Sequence, residues 1–164
     1  GALGDATLQA ARGPLPRRTG IVRASPVQDP AAMDDTIKWF TVIVLVSLPT
    51  VMYGGFSLLQ LVTRGKLTAF QTTYFRAGHA HAGVLLVLSL AALDVLDRTD
   101  LGDGAVWTVC LLLTIGVIAQ SGGMFLHMTI GRPGKWSAGN WVTTAGAGCL
   151  AVALLTLAYG VATT

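Results

Sequence analysis

Residues 76–97 read RAGHAHAGVLLVLSLAALDVLD. After the two histidines the stretch is almost unbroken Leu, Val and Ala, and Asp94 is the first charge beyond Arg76. About 20 apolar residues let a helix cross the hydrocarbon core of a bilayer. Backbone groups in lipid have no water to bond, so a run of this length and composition folds as a helix. Three further runs meet the same test: 37–63, 105–130 and 140–162. The links between them are short, at 64–75, DRTDLGDG and GRPGKWSAG, and short links make consecutive helices antiparallel neighbours. The expected fold class is all-α: a four-helix transmembrane bundle, antiparallel and up-down, with helices at about 37–63, 76–97, 105–130 and 140–162.

Composition agrees. Of 164 residues, 52% are apolar and only 12% are charged, with no glutamate at all. A soluble domain carries roughly a quarter charged residues, so a chain this poor in charge suits lipid better than water. The net charge of +3 is too small and too scattered for nucleic acid. Cys110 and Cys149 sit inside apolar runs, at different expected membrane depths, and are expected as buried thiols, not a disulfide.

Residues 1–32 differ from the rest. They are rich in Ala, Gly, Pro and Arg and have no long apolar run, so they are expected to be a disordered leader or extension. No apolar h-region follows the arginines, which excludes a secretory signal peptide. Met33 is the expected start of the functional protein, making 33–164 the four-helix transmembrane domain.

The loops set an expected orientation. Arg64, Lys66 and Arg76 cluster at the first connection, and Arg132 and Lys135 at the third. The second carries Asp97, Asp100 and Asp103 against Arg98. The positive-inside rule then puts the basic connections in the cytoplasm and both termini outside, with a bacterial plasma membrane as the expected location. The four leader arginines oppose that orientation. Trp39, Trp107 and Tyr159 mark one membrane surface; Tyr74, Phe75, Trp136 and Trp141 mark the other. Small residues must let the helices approach, since lipid tails are as apolar as Leu. Gly54, Gly55, Gly116, Gly122 and Gly123 are read as backbone contact, or in a sharper reading as room for a bound ring. Pro49 predicts a kink in the first helix.

The chain has only three histidines. His79 falls about three residues into the expected second helix and His127 about three before the end of the third, so His79, His81 and His127 are expected to share one layer near the cytoplasmic face. His79 and His81 are two apart and point about 200° from one another in a regular helix. His79 shares a stripe with Gly83 and is the preferred inward ligand, facing Gly116, Gln120, Gly123 and His127. Gln120 is polar near mid-membrane and should find a partner.

Three functions follow from that layer. The first is a cofactor site: haem b between His127 and His79 or His81, with Arg76, Arg64 or Arg132 for the propionates and Gln120 nearby, or copper or zinc on His79, His81 and His127. The second is a non-enzymatic structural or assembly subunit, whose interfacial histidines bond neighbours such as Tyr74 or Asn140 and whose partner is a membrane complex or a second copy. The third is proton or small-ion transport, for which Asp94 lies about 20 Å from the histidine layer by helix rise. Enzyme activity is left open. Ser89 and Ser121 have no nearby base, the aspartates form no calcium loop, and Met124 and Met128 are expected to fill space.

The stretches LTAFQTTYFRAGHAHAGVLLVLSL and GGMFLHMTIGRPGKWSAGNWVTTAGA resemble a group of small four-helix integral membrane proteins of unknown function. That resemblance covers roughly 37–162 and implies the fold and membrane location, with no activity attached. The His-x-His at a helix start is also similar to haem-binding helices of respiratory oxidases and nitric oxide reductases.

Overall fold

A computed structural model describes residues 33–164. The expected leader, 1–32, lies outside the described residues. Four helices follow in order: α1 Asp35–Thr63, α2 Ala69–Leu96, α3 Asp103–Ile130 and α4 Ala138–Thr163. Each is long and apolar enough to cross a membrane. By length and composition this is an integral membrane bundle.

Helix boundaries follow from caps. Asp34 Oδ1 accepts from the Thr36 and Ile37 amides at 2.8 and 3.3 Å and starts α1. The Asp34 amide also donates to Asp97 Oδ1 at 3.2 Å, tying the start of α1 to the end of α2. Thr68 opens α2 with a capping box: its hydroxyl accepts from the Gln71 amide at 3.2 Å, and Gln71 Oε1 accepts from the Thr68 amide at 3.0 Å. Helix α2 therefore begins at Ala69, seven residues before the expected 76. The cap overrides the low hydropathy of FQTTYFR, and the first link shrinks to five residues, 64–68. Gly65 and Gly134 take the links through φ of 61° and 70°, the left-handed region that favours glycine. Helix α1 continues through Pro49.

Packing is uneven. Helices α3 and α4 meet most extensively, α2 lies on α3, and α1 rests on α2 with a small contact to α3 and none to α4. The buried face of α4 carries Gly139, Gly146, Ala153 and Gly160, with Leu150 and Leu157 between them. That seven-residue repeat keeps one seam against α3, where Gly116 and Gly123 recur at the same interval. A Cβ on Gly116 would fall 2.6 Å from Leu150 Cγ, and one on Gly123 would strike Thr143 and the backbone of Gly139. These glycines are filled by the partner helix, so they serve backbone contact and leave no room for a ring. At the other end of the bundle Ile37, Phe40, Leu93, Leu96, Val109 and Leu113 belong to the core. Phe40 meets Trp107 edge to face at 5.8 Å. Trp39, Val46, Met52, Tyr53, Phe56, Trp141 and Leu155 lie on the outer surface, as a lipid-facing surface requires.

Candidate functional site

The antiparallel hairpins bring the ends of α1 and α3 and the starts of α2 and α4 to one face. Arg64, Lys66, Arg76, Arg132 and Lys135 belong to it. Asp34, Asp35, Asp94, Asp97, Asp100 and Asp103 all belong to the opposite face. There Asp94 forms an ion pair with Arg98 at 2.8 Å, one turn along α2.

All three histidines lie in the basic half, in three separate settings. His127 is 2% exposed. Its Nδ1 lies 2.6 Å from the Ser137 hydroxyl. Ser137 is the N-cap of α4, accepting from the Gly139 amide at 3.1 Å and forming a capping box with Asn140. Two α2 rings close over the imidazole: Tyr74, with its centroid at 4.4 Å, and Phe70, at 5.5 Å. The His127 carbonyl accepts the Gly131 amide at 2.7 Å, ending α3. One residue thus fastens α2, α3 and the first turn of α4. The hydrogen bond goes to Ser137, and Tyr74 meets the imidazole as a ring contact.

His79 turns the other way, toward α1. A Cβ on Gly55 would stand 2.8 Å from His79 Nε2, and one on Gly54 3.7 Å from Nδ1. The two glycines form a shelf for the ring. His81, 200° around the helix, lines a crevice with Ala80, Val84, Leu85 and Gln120. Its Nδ1 is 2.9 Å from the Ala77 carbonyl. A carbonyl only accepts, so in that bond Nδ1 carries the proton and Nε2 is left as the acceptor. Of the two, His81 shares a crevice with Gln120, while His79 faces α1.

The expected common layer does not form. Because α2 starts at Ala69, His79 is ten residues into the helix and His81 twelve, while His127 is three from the end of α3. The α2 residues level with His127 are Phe70 and Tyr74. Tyr74 precedes His79 by five residues, about 7.5 Å of helix rise. Among the described residues no group of three or more His, Cys, Asp or Glu side chains could hold a metal ion. The three-imidazole copper or zinc site on His79, His81 and His127 is therefore absent from this arrangement. Both cysteines are free thiols.

Three other features were missed or left open by the sequence. Arg76 borders a groove between α1 and α2 with Gly55, Leu58, Leu59 and Val62. Ser137 could have been found from its S-x-x-N spacing before an apolar run, a capping pattern like that of Thr68. In the acidic half, Phe40, Val44, Leu86, Cys110 and Leu113 help line a small cavity of about 60 Å³ between α1, α2 and α3. The hydroxyls beside it, Ser47, Ser89 and Thr114, donate back to the carbonyls of Ile43, Leu85 and Cys110, so it offers no free polar group from them. The chain matches no protein-family model, no curated protein and no solved structure.

Proposed function

We propose that the chain is a non-enzymatic structural subunit of a membrane assembly, with α1 as the element that meets a neighbouring helix. The observation that carries this reading is the one-sided attachment of α1: it rests on α2, touches α3 slightly and never reaches α4. Its most apolar window is only 6% buried, against 28–39% for the other three helices. The histidines support the same reading, since His127 and His79 are spent on helix contacts within the chain. The test is cysteine cross-linking in native membranes, in a background lacking Cys110 and Cys149. Val46→Cys on α1 is expected to give a discrete protein adduct, and Leu155→Cys on α4 to give none. Equal labelling from both helices, or none from α1, rejects the assignment.

A second reading rests on His81. Its Nε2 is free to coordinate, and the Nδ1 bond to the Ala77 carbonyl fixes the ring, as a hydrogen bond on the far nitrogen does for metal-bound imidazoles. A haem b or transition-metal ion there would take its second ligand from a partner, because His127 is committed to Ser137 and His79 to α1. Optical absorption and metal analysis of the chain extracted in mild detergent together with its membrane partners decide it. A Soret band lost in His81→Ala but kept in His127→Ala supports haem at this position; a colourless, metal-free preparation rejects it.

A further inference from the structure

Arg76 poses a charge problem that the chain does not solve itself. It lies on α2 seven residues after Ala69, about 10 Å along the helix. Helix α2 has 28 residues and is about 42 Å long, against a hydrocarbon core of about 30 Å. A centred α2 leaves the Arg76 backbone about 4–5 Å inside the hydrocarbon boundary, within reach of the headgroups for a snorkelling arginine. A guanidinium does not lose its charge at any ordinary pH, so it needs an anion or water. Every aspartate in the described chain is at the far face, and Arg76 has no ion pair or side-chain hydrogen bond among the described residues.

The space beside Arg76 has a shape that answers this. Gly55, Leu58, Leu59 and Val62 line the α1 side of a groove of about 270 Å³, with Arg76 on the α2 side. Gly55 is the inner end, where His79 lies over its shelf. Val62 is seven residues, about 10 Å, nearer the basic surface. Leu59, Val62 and Arg76 are all exposed on the bundle surface, so the groove opens to lipid. An apolar groove beside one arginine, whose long side chain can reach up toward the basic surface, matches the upper part of an acyl chain below a phosphate. The surrounding face is uniformly cationic, with Arg64, Lys66, Arg132 and Lys135 and no carboxylate among the described residues.

We propose that the α1–α2 groove is a binding site for an anionic phospholipid, with Arg76 pairing with the headgroup phosphate and Gly55, Leu58, Leu59 and Val62 holding an acyl chain. Basic pockets between transmembrane helices on the basic face recognise anionic headgroups in this way. A zwitterionic lipid fits the same apolar walls but neutralises its own phosphate, so the selectivity comes from Arg76. This site depends on the bundle spanning a bilayer and not on the assembly role proposed for α1.

The experiment uses the full chain in vesicles of equal parts phosphatidylglycerol and phosphatidylcholine. Spin-labelled forms of each lipid report the fraction held against the protein. The wild type is expected to favour phosphatidylglycerol about fivefold, the factor that about 1 kcal/mol per interfacial cation produces. Arg76→Gln should bring the ratio close to one, while Arg76→Lys keeps most of it. The Arg64→Gln/Lys66→Gln double variant should also keep most of it, and excess inorganic phosphate should leave it unchanged. Helix content by circular dichroism confirms that each variant is folded. An unchanged ratio in folded Arg76→Gln overturns the site. Equal loss in the Arg64/Lys66 variant means diffuse surface charge and overturns it too. Displacement by inorganic phosphate means a site for a free anion, and the lipid assignment fails.

Discussion

Gly122 and Gly123 are adjacent on α3, yet a methyl group should have opposite consequences at the two. Nothing stands within 4 Å of a Cβ at Gly122. At Gly123 the Cβ would lie 2.5 Å from the Thr143 backbone nitrogen and 2.6 Å from the Gly139 carbonyl oxygen. Both obstacles are α4 backbone, which no rotamer change can move. Ordinary contact between such atoms is about 3.5 Å, so α4 would have to retreat by about 1 Å. A gap of that size forfeits about a quarter to a half of the dispersion well for each pair along the seam. Overpacking of this kind costs about 1–3 kcal/mol, and the rigid obstacles put Gly123→Ala in the upper part of that range. Gly122→Ala should be neutral or stabilise by up to about 1 kcal/mol, since alanine favours the helix and nothing obstructs it. Alanine's helix preference over glycine applies equally at the two positions, so the difference between them isolates the seam. The assay is reversible unfolding of the purified chain in mild detergent by titration with a denaturing detergent, followed by near-ultraviolet circular dichroism. Gly123→Ala should unfold at clearly lower denaturant, with a gap of about 2–3 kcal/mol between the adjacent variants. Equal midpoints for the two would refute the close approach of α3 and α4.

Three further outcomes test the histidine contacts and the thiols. His127→Ala removes an imidazole packed by Tyr74 and Phe70 and leaves Ser137 without that partner; the loss should be about 2–4 kcal/mol, and a double-mutant cycle with Ser137→Ala should show coupling of about 0.5–3 kcal/mol in the same unfolding assay. Gly55→Ala should destabilise the bundle by pressing on His79, and His79→Ala should relieve part of that cost in the double variant; additive losses would remove the shelf contact. Cys110 is fully buried and Cys149 partly exposed, so a lipid-soluble maleimide should modify Cys149 first, as read by intact mass.

The fold was legible because its signal is long. Four runs of apolar residues survive an error of several residues at either end, and antiparallel order follows from short links alone. The glycines at 116 and 123 were legible as contact points for the same reason: in a bundle without a hydrophobic drive between helices, close backbone approach is the default use of a small residue. The depth of a side chain has no such tolerance. Each residue of misplacement is about 1.5 Å, and the second helix was expected seven residues too short at its start. The polar segment FQTTYFR hid the continuation, because hydropathy reports where lipid is and not where the helix begins. Thr68 and Gln71 carried the missing information in their spacing, and that pattern holds the answer to where the three imidazoles lie.

The misplaced boundary also decides what kind of residue each histidine is. With α2 beginning at 76, His79 would sit at the membrane surface with water to share. With α2 beginning at Ala69, its ring lies against α1 inside the bundle, and Phe70 and Tyr74 take the position level with His127. His127 has Ser137 as a close partner and His81 has Ala77, each through one ring nitrogen. Among the described residues no buried side-chain nitrogen or oxygen is left without a hydrogen-bond partner. Arg76 is the contrasting case. It is one turn from His79 on the same flank of α2, permanently charged, and without a carboxylate on its side of the bilayer. Selection for packing alone would favour an apolar residue at such a position, since an intramembrane charge is costly when unpaired. A charge retained there points outward, to an anion the lipid can supply.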